Sequence, residues 1–221
     1  MIKLTDLLKE INDKSNIKND IINLSKDITK HVIDKDELTL NDILIFGSIN
    51  IPIKTTIKNI KSQKEYSITG VANPSSRSIS LNIKYNFSIP QSLSSQEIQN
   101  EIAITIWHEF KHMVQFIQKN QTKPEYKLQP RGIDYFLSQD EIEAYAEELY
   151  IKHELTNTSL EKLIQQFENQ LNTWLEKLIQ QRIKGGFTPQ KSEEMEGTKE
   201  DIKNIISLIK AYLNKEYNLS L

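Results

Sequence analysis

Cysteine is absent from the sequence, which excludes disulfide bonds and thiolate ligands for a metal ion. Proline and glycine are scarce, with six residues of each type, and neither occurs between residues 92 and 122. A helix could therefore run through that segment without a break. No stretch approaches the roughly 18 consecutive apolar residues that a membrane-spanning helix requires.

An excess of charge of one sign is also absent. There are 28 basic and 30 acidic residues, and the net charge is −2, so the clustered basic surface of a nucleic-acid-binding protein is not predicted. The N-terminal segment is charged and has no apolar core of signal-peptide length. We therefore expect a cytoplasmic protein that binds neither nucleic acid nor membrane, with association with a virion as the alternative.

The length and composition are typical of a globular protein. The chain has 221 residues, of which 38% are hydrophobic and 26% are charged. This length allows one domain with a substantial core, or one domain plus a small appendage. The apolar spacing predicts helices over residues 1–36, with a break near Asn12 and Asp13. Residues 38–87 alternate between apolar and polar side chains, which predicts a small, mostly antiparallel sheet whose clearest strand is 78–87.

Residues 108–112 read HEFKH and form the most informative motif of the chain. His108 and His112 are four residues apart, just over one helical turn, so both imidazoles point to the same side of a helix and can bind one Zn²⁺. Glu109 would lie beside the ion, where it can accept a proton from a bound water. The motif predicts zinc as a cofactor; the alternative is a chance match on an amphipathic helix.

The sequence around the motif predicts the helix that this chemistry requires. Ser94 and Glu97 have the spacing of a capping box, which marks a helix start. Apolar residues then recur every three or four positions as far as Ile117 and form one stripe. We therefore expect both histidines to lie deep in the protein.

A catalytic zinc ion usually has three protein ligands, with the fourth position left for water. A second helix is predicted over residues 138–150. The downstream side chains considered for the third ligand are Asp140, Glu141, Glu143, Glu147, Glu148 and His153. Glu141 also has a structural alternative, because it could complete a capping box with Ser138.

Other potential ligands on this second helix are not predicted to bind the ion. Glu147 and Glu148 are expected on a solvent-facing side of the helix. His153 is about 18 Å along the helix from Glu141, at 1.5 Å per residue, so the two cannot share one ion.

The HExxH motif, followed after some tens of residues by Glu141-Ile142-Glu143-Ala144-Tyr145-Ala146, resembles the gluzincin metallopeptidases. In this resemblance the third zinc ligand is the first glutamate of the second segment, Glu141. The longer pattern HExxHxxQ, which ends at Gln115, looks like small peptidase-like proteins of phage and bacterial genomes. Related families have an aspartate four residues after the ligand, where this chain has Tyr145, so the partner of the zinc-bound histidine is unassigned.

The resemblance implies an α+β, zincin-like fold in which the sheet packs on the HExxH helix. An edge strand, 78–87 or a neighbour, would line the cleft. The metallopeptidase domain would span residues 1–155, including the N-terminal helices. Residues 156–221 are expected to form a helical hairpin packed on this domain.

The spacing of apolar residues gives the parts of this hairpin. A long amphipathic helix is predicted from Leu160 to just before Gly185. Residues 185–199 are predicted to be a polar linker or a mobile loop, and Ile202 lies in a last helix. A helical hairpin that binds a partner protein is the alternative to one that only packs on the catalytic part.

The function implied by the resemblance is zinc-dependent hydrolysis of peptide bonds in a peptide or protein substrate. Glu109 would be the general base, and Tyr145 is assigned the role of stabilising the oxyanion, with Tyr135 and Arg131 as alternatives. The competing hypotheses are a non-catalytic virion or assembly protein that retains the zincin-like fold, and a zinc hydrolase of a non-peptide amide or ester.

Overall fold

The computed structural model describes residues 14–34, 37–46, 49–60, 66–86, 93–119 and 132–221. Within these residues the protein is α+β, with a four-stranded mixed sheet, which confirms the α+β part of the predicted fold. The chain divides into two compact units, Met1–Pro124 and Glu125–Leu221.

The first unit contains the sheet and the helix with the HExxH motif. Its second N-terminal helix is confirmed, whereas the break predicted near Asn12 and the helix before it lie outside the described residues. The elements are α1 (Lys14–Ile33), β1 (Leu38–Phe46), β2 (Ile49–Asn59), β3 (Tyr66–Asn73), β4 (Ser78–Tyr85) and α2 (Ser95–Gln118).

The sheet has the strand order β1-β2-β4-β3. The pairs β1–β2 and β3–β4 are antiparallel, and β2–β4 is parallel. The prediction of a mostly antiparallel sheet therefore holds for two of the three pairs. Pro52 lies one residue before the first β2–β4 pair, Ile53 with Ile79, so its missing N–H removes no hydrogen bond to β4.

One face of the sheet is buried against the two helices. The alternation predicted for the clearest strand is confirmed, because β4 buries every second side chain. Burial of each such isoleucine or leucine stabilises the fold by about 1.5–3 kcal/mol. Helix α1 packs on α2 and β1, and α2 packs on β3 and β4. The buried residues of β2 and β4 are Ile51, Ile53, Thr55, Ile57, Ile79, Leu81, Ile83 and Tyr85.

The strand at the edge of the sheet is not the clearest strand of the sequence but its neighbour. Strand β4 has β2 on one side and β3 on the other, so residues 78–85 lie inside the sheet. Among the described strands, β3 is the edge on the side of the sheet where α2 packs. The neighbour of the clearest strand therefore has the edge position.

The second unit is helical. Helices pack around a core of aliphatic side chains contributed by each of the long elements. The two long C-terminal helices confirm the predicted hairpin. The elements are a short 3-10 helix (Gly132–Tyr135), α3 (Gln139–Thr156), α4 (Leu160–Lys184), α5 (Pro189–Glu196) and α6 (Lys199–Tyr217).

The prediction of a linker over residues 185–199 is wrong for its central part, which forms α5. Thr188 caps this helix, and Pro189 occupies its first turn, where a missing N–H has no cost. Glu196 is buried and accepts a hydrogen bond from Nε of Arg182 on α4. The polar composition of the segment therefore did not indicate this helix, whose buried glutamate pairs with a partly exposed arginine.

Helix α3 belongs to the second unit by its packing, since it contacts α4 and α6. The predicted division into residues 1–155 and 156–221 stays a prediction. The long helices are amphipathic, as α4 shows by burying one stripe that includes Leu163, Phe167 and Leu171. No helix of the described residues is long and apolar enough to span a membrane.

Candidate metal site

Helix α2 begins at the capping box that the sequence predicts. The Ser94 side chain accepts a hydrogen bond from the Glu97 N–H, and the Glu97 carboxylate accepts one from the Ser94 N–H at 2.7 Å. This bond from the Ser94 N–H, and then the one that the Ser94 hydroxyl donates to the same carboxylate at 2.7 Å, lower the pKa of the Glu97 carboxyl. The box fixes where the helix starts and thereby which residues of the motif face the core.

The two motif histidines point at each other from successive turns of α2. Their side chains are shielded, with His108 9% and His112 7% exposed. The Nε2 atoms lie 3.1 Å apart. Two nitrogen ligands of a tetrahedral zinc ion, at about 2.0–2.1 Å from it, are separated by about 3.3–3.4 Å. The pair therefore has nearly the spacing that a shared ion requires.

A buried amide orients the second histidine. Nδ1 of His112 lies 3.0 Å from Oε1 of Gln115, whose side chain is 3% exposed. Because an amide oxygen only accepts, this contact favours the tautomer of His112 with its proton on Nδ1. Gln115 is thus a candidate for the partner that the sequence left unassigned. Its spacing of three residues from His112, on one helix face, was the signal that could have identified it.

Glu109 lies beside the edge strand β3. Its Oε2 atom accepts a hydrogen bond of 2.6 Å from the backbone N–H of Ala72. The side chain crosses Gly70, where an added Cβ would overlap its Cγ and lie 2.9 Å from its Oε1. The predicted base is therefore held between α2 and the strand, in a partly buried position next to His108 in sequence.

In the second unit, Glu141 lies in the first turn of α3 and is 8% exposed. Ser138 caps this helix by accepting from the Glu141 N–H at 3.3 Å. The Ser138 N–H donates to the carbonyl of Tyr135 at 3.3 Å. The ligand role of Glu141 stays a prediction.

Glu143 has a different environment. Its Oε1 accepts a hydrogen bond from Nε2 of Gln139 at 2.9 Å, in an exposed position. The assignment of the third ligand to Glu141, with Glu143 as the alternative, stays a prediction.

The residues considered for the oxyanion differ in what the structure describes. The Tyr145 ring packs in an aromatic cluster, with ring centroids 4.9 Å from Phe167 and 5.5 Å from Phe136. Tyr135 is 41% exposed in the 3-10 helix, and Arg131 lies outside the described residues. The catalytic role of Tyr145 stays a prediction.

The expectation that Glu147 faces solvent is wrong, because its side chain is only 2% exposed. Its two oxygens accept hydrogen bonds from the hydroxyls of Tyr212 at 2.9 Å and Tyr217 at 2.5 Å. Burial, and then the charge of Glu147, raise the pKa of both phenols above their usual value. This cluster links α3 to α6 and is a structural feature that sequence spacing did not indicate.

Comparison with known proteins adds no relative: no family model, no curated protein and no solved structure matches the chain.

Proposed function

We propose that the protein is a zinc-dependent metallopeptidase of gluzincin type, in which His108, His112 and Glu141 hold the ion and Glu109 is the general base. The observation that carries this proposal is the pair of shielded Nε2 atoms 3.1 Å apart on α2. Gln115 supports it by fixing the tautomer of His112 that a metal ion needs.

In this proposal His108, His112 and Glu141 would hold the zinc ion, which would supply a bound water of lowered pKa and a Lewis acid for the scissile carbonyl. Glu109 accepts the proton of the attacking water and delivers it to the leaving amine, so that no other acid is needed. The Tyr145 hydroxyl donates a hydrogen bond to the oxygen that becomes negatively charged.

The zincin-like assignment of the fold is part of the same proposal. It is supported by the packing of the HExxH helix on the edge strand β3. A peptide substrate would add to this edge as a further strand, with backbone hydrogen bonds giving affinity and side-chain pockets giving selectivity.

The test measures the metal content of the purified full chain after zinc loading and dialysis, together with cleavage of an unfolded protein substrate. Wild type is expected to hold one zinc ion per chain. Zinc at 100 times its dissociation constant stabilises the folded state by about 2.7 kcal/mol, which raises the unfolding temperature. Glu109→Gln should keep the zinc and lose cleavage by about 10²–10⁴-fold.

His108→Ala should lose both zinc and cleavage. His31→Ala is the matched control, since His31 lies in the last turn of α1 and outside the proposed ligand group. Zinc that remains stoichiometric in His108→Ala, or cleavage that persists in Glu109→Gln, would contradict the proposal. Stoichiometric zinc with no cleavage by wild type would instead support the non-catalytic alternative.

A further inference from the structure

A glycine occurs in the edge strand at the point where the Glu109 side chain crosses it. Gly70 is half-buried in β3 and pairs with Leu81 of β4. Glycine in a strand costs about 0.5–1 kcal/mol relative to alanine, because it loses more backbone freedom and packs no side chain. A glycine in this position therefore indicates that something approaches the backbone closely.

The group that approaches is the side chain of Glu109. An alanine methyl at Gly70 would overlap Cγ of Glu109 and lie 2.9 Å from its Oε1 and 3.0 Å from its Cδ. Contacts this short cannot be relieved without moving the carboxylate, since the glutamate is fixed to α2 at its other end.

Two residues further along the same strand, the Ala72 N–H donates to Oε2 of Glu109 at 2.6 Å. A hydrogen bond between an amide and a carboxylate is short and about twice as strong as one between neutral groups. The absence of a side chain at Gly70 thus leaves space for the Glu109 carboxylate, and the hydrogen bond from the Ala72 N–H orients it.

We infer that Gly70 and the backbone N–H of Ala72 are positioning elements for Glu109, which set where its carboxylate stands relative to the proposed zinc-bound water. This inference rests on the proposed function for its catalytic consequence but not for the contact itself. It also implies that the Ala72 N–H, which donates to Glu109, is not available to pair with a substrate strand at the β3 edge.

The catalytic test compares Gly70→Ala with wild type in the zinc-loaded full chain. A displaced base should lower kcat by about 10²-fold, while KM and the zinc content stay unchanged. Ala72→Pro removes the N–H at a sheet edge, where proline is tolerated, and should lower kcat in the same way. Ile45→Ala is the control, because Ile45 is 62% exposed and lies on β1, at the opposite edge of the sheet from the proposed substrate strand.

A double-mutant cycle separates this inference from the proposed function. Gly70→Ala should lower the midpoint of urea unfolding in wild type, and this decrease should be absent in the Glu109→Ala background, where the overlapping atoms are gone. The cycle needs no substrate, so coupling without any cleavage would support the contact and count against the peptidase.

An equal decrease of the midpoint in both backgrounds would overturn the inference, because Gly70 would then be needed by the strand alone. If the wild type is active, an unchanged kcat in Gly70→Ala would overturn the inference as well.

Discussion

Nδ1 of His112 and Oε1 of Gln115 lie 3.0 Å apart on one buried face of helix α2. The pair makes the orientation of a proposed metal ligand depend on an amide of the same helix. Removing such a partner typically costs 10–100-fold in metal affinity, because the ring is then free to turn and to change tautomer.

We therefore predict that Gln115→Ala weakens zinc binding by about 10–100-fold, measured by competition with a chromophoric chelator. Gln115→Glu should bind at least as tightly as wild type, since a carboxylate accepts the Nδ1 proton more strongly. Gln118→Ala is the control, because Gln118 is an exposed glutamine near the end of the same helix. Equal zinc affinity of Gln115→Ala and wild type would show that Gln115 does not orient the ligand.

The role of Tyr145 can be separated from the packing of its ring. Tyr145→Phe keeps the contacts with Phe136 and Phe167 and removes only the hydroxyl. If this hydroxyl donates to the oxyanion, kcat should fall by about 10²–10³-fold. Tyr135→Phe tests the alternative donor: a loss of kcat there, with none in Tyr145→Phe, would move the assignment to Tyr135.

Local patterns predicted the elements of the fold well. The alternation over residues 78–85 and the three-to-four spacing of α2 and α4 directly reflect which side chains are buried. The HExxH motif likewise lies on one helix, so the spacing of His108 and His112 was enough to predict that their imidazoles meet. Burial and spacing of this kind depend only on neighbours in sequence.

Strand order and contacts between distant segments were not predictable in this way. Which strand lies at the edge depends on the parallel β2–β4 pairing, for which the sequence contains no local signal. The approach of Glu109 to β3 joins residues 37 positions apart. The sequence shows a glycine at position 70, but only the structure shows that the Glu109 side chain occupies the space of its missing Cβ.

The contacts of Glu147 with Tyr212 and Tyr217 also join distant segments, and they allow a prediction about stability. Tyr212 is 65 residues and Tyr217 70 residues from Glu147, so a helical pattern around Glu147 could not show that α6 buries it. Each phenol donates to one carboxylate oxygen. Loss of a hydrogen bond to a charged group costs about 1.5–3 kcal/mol, which is the decrease in unfolding free energy expected for Tyr212→Phe or Tyr217→Phe in urea titrations at neutral pH.

The raised pKa values of both phenols also predict how stability depends on pH. Burial and the charge of Glu147 keep the two hydroxyls protonated in the folded state, whereas unfolded tyrosine ionises near a pKa of about 10. The unfolded state therefore binds fewer protons above this pH, so the contribution of these two phenols to stability is constant below about pH 10 and falls above it. Tyr217→Phe should reduce the steepness of this alkaline decrease, while Tyr135→Phe, at an exposed site, should not. An identical alkaline slope in Tyr217→Phe and wild type would mean that the buried phenol does not govern unfolding at high pH.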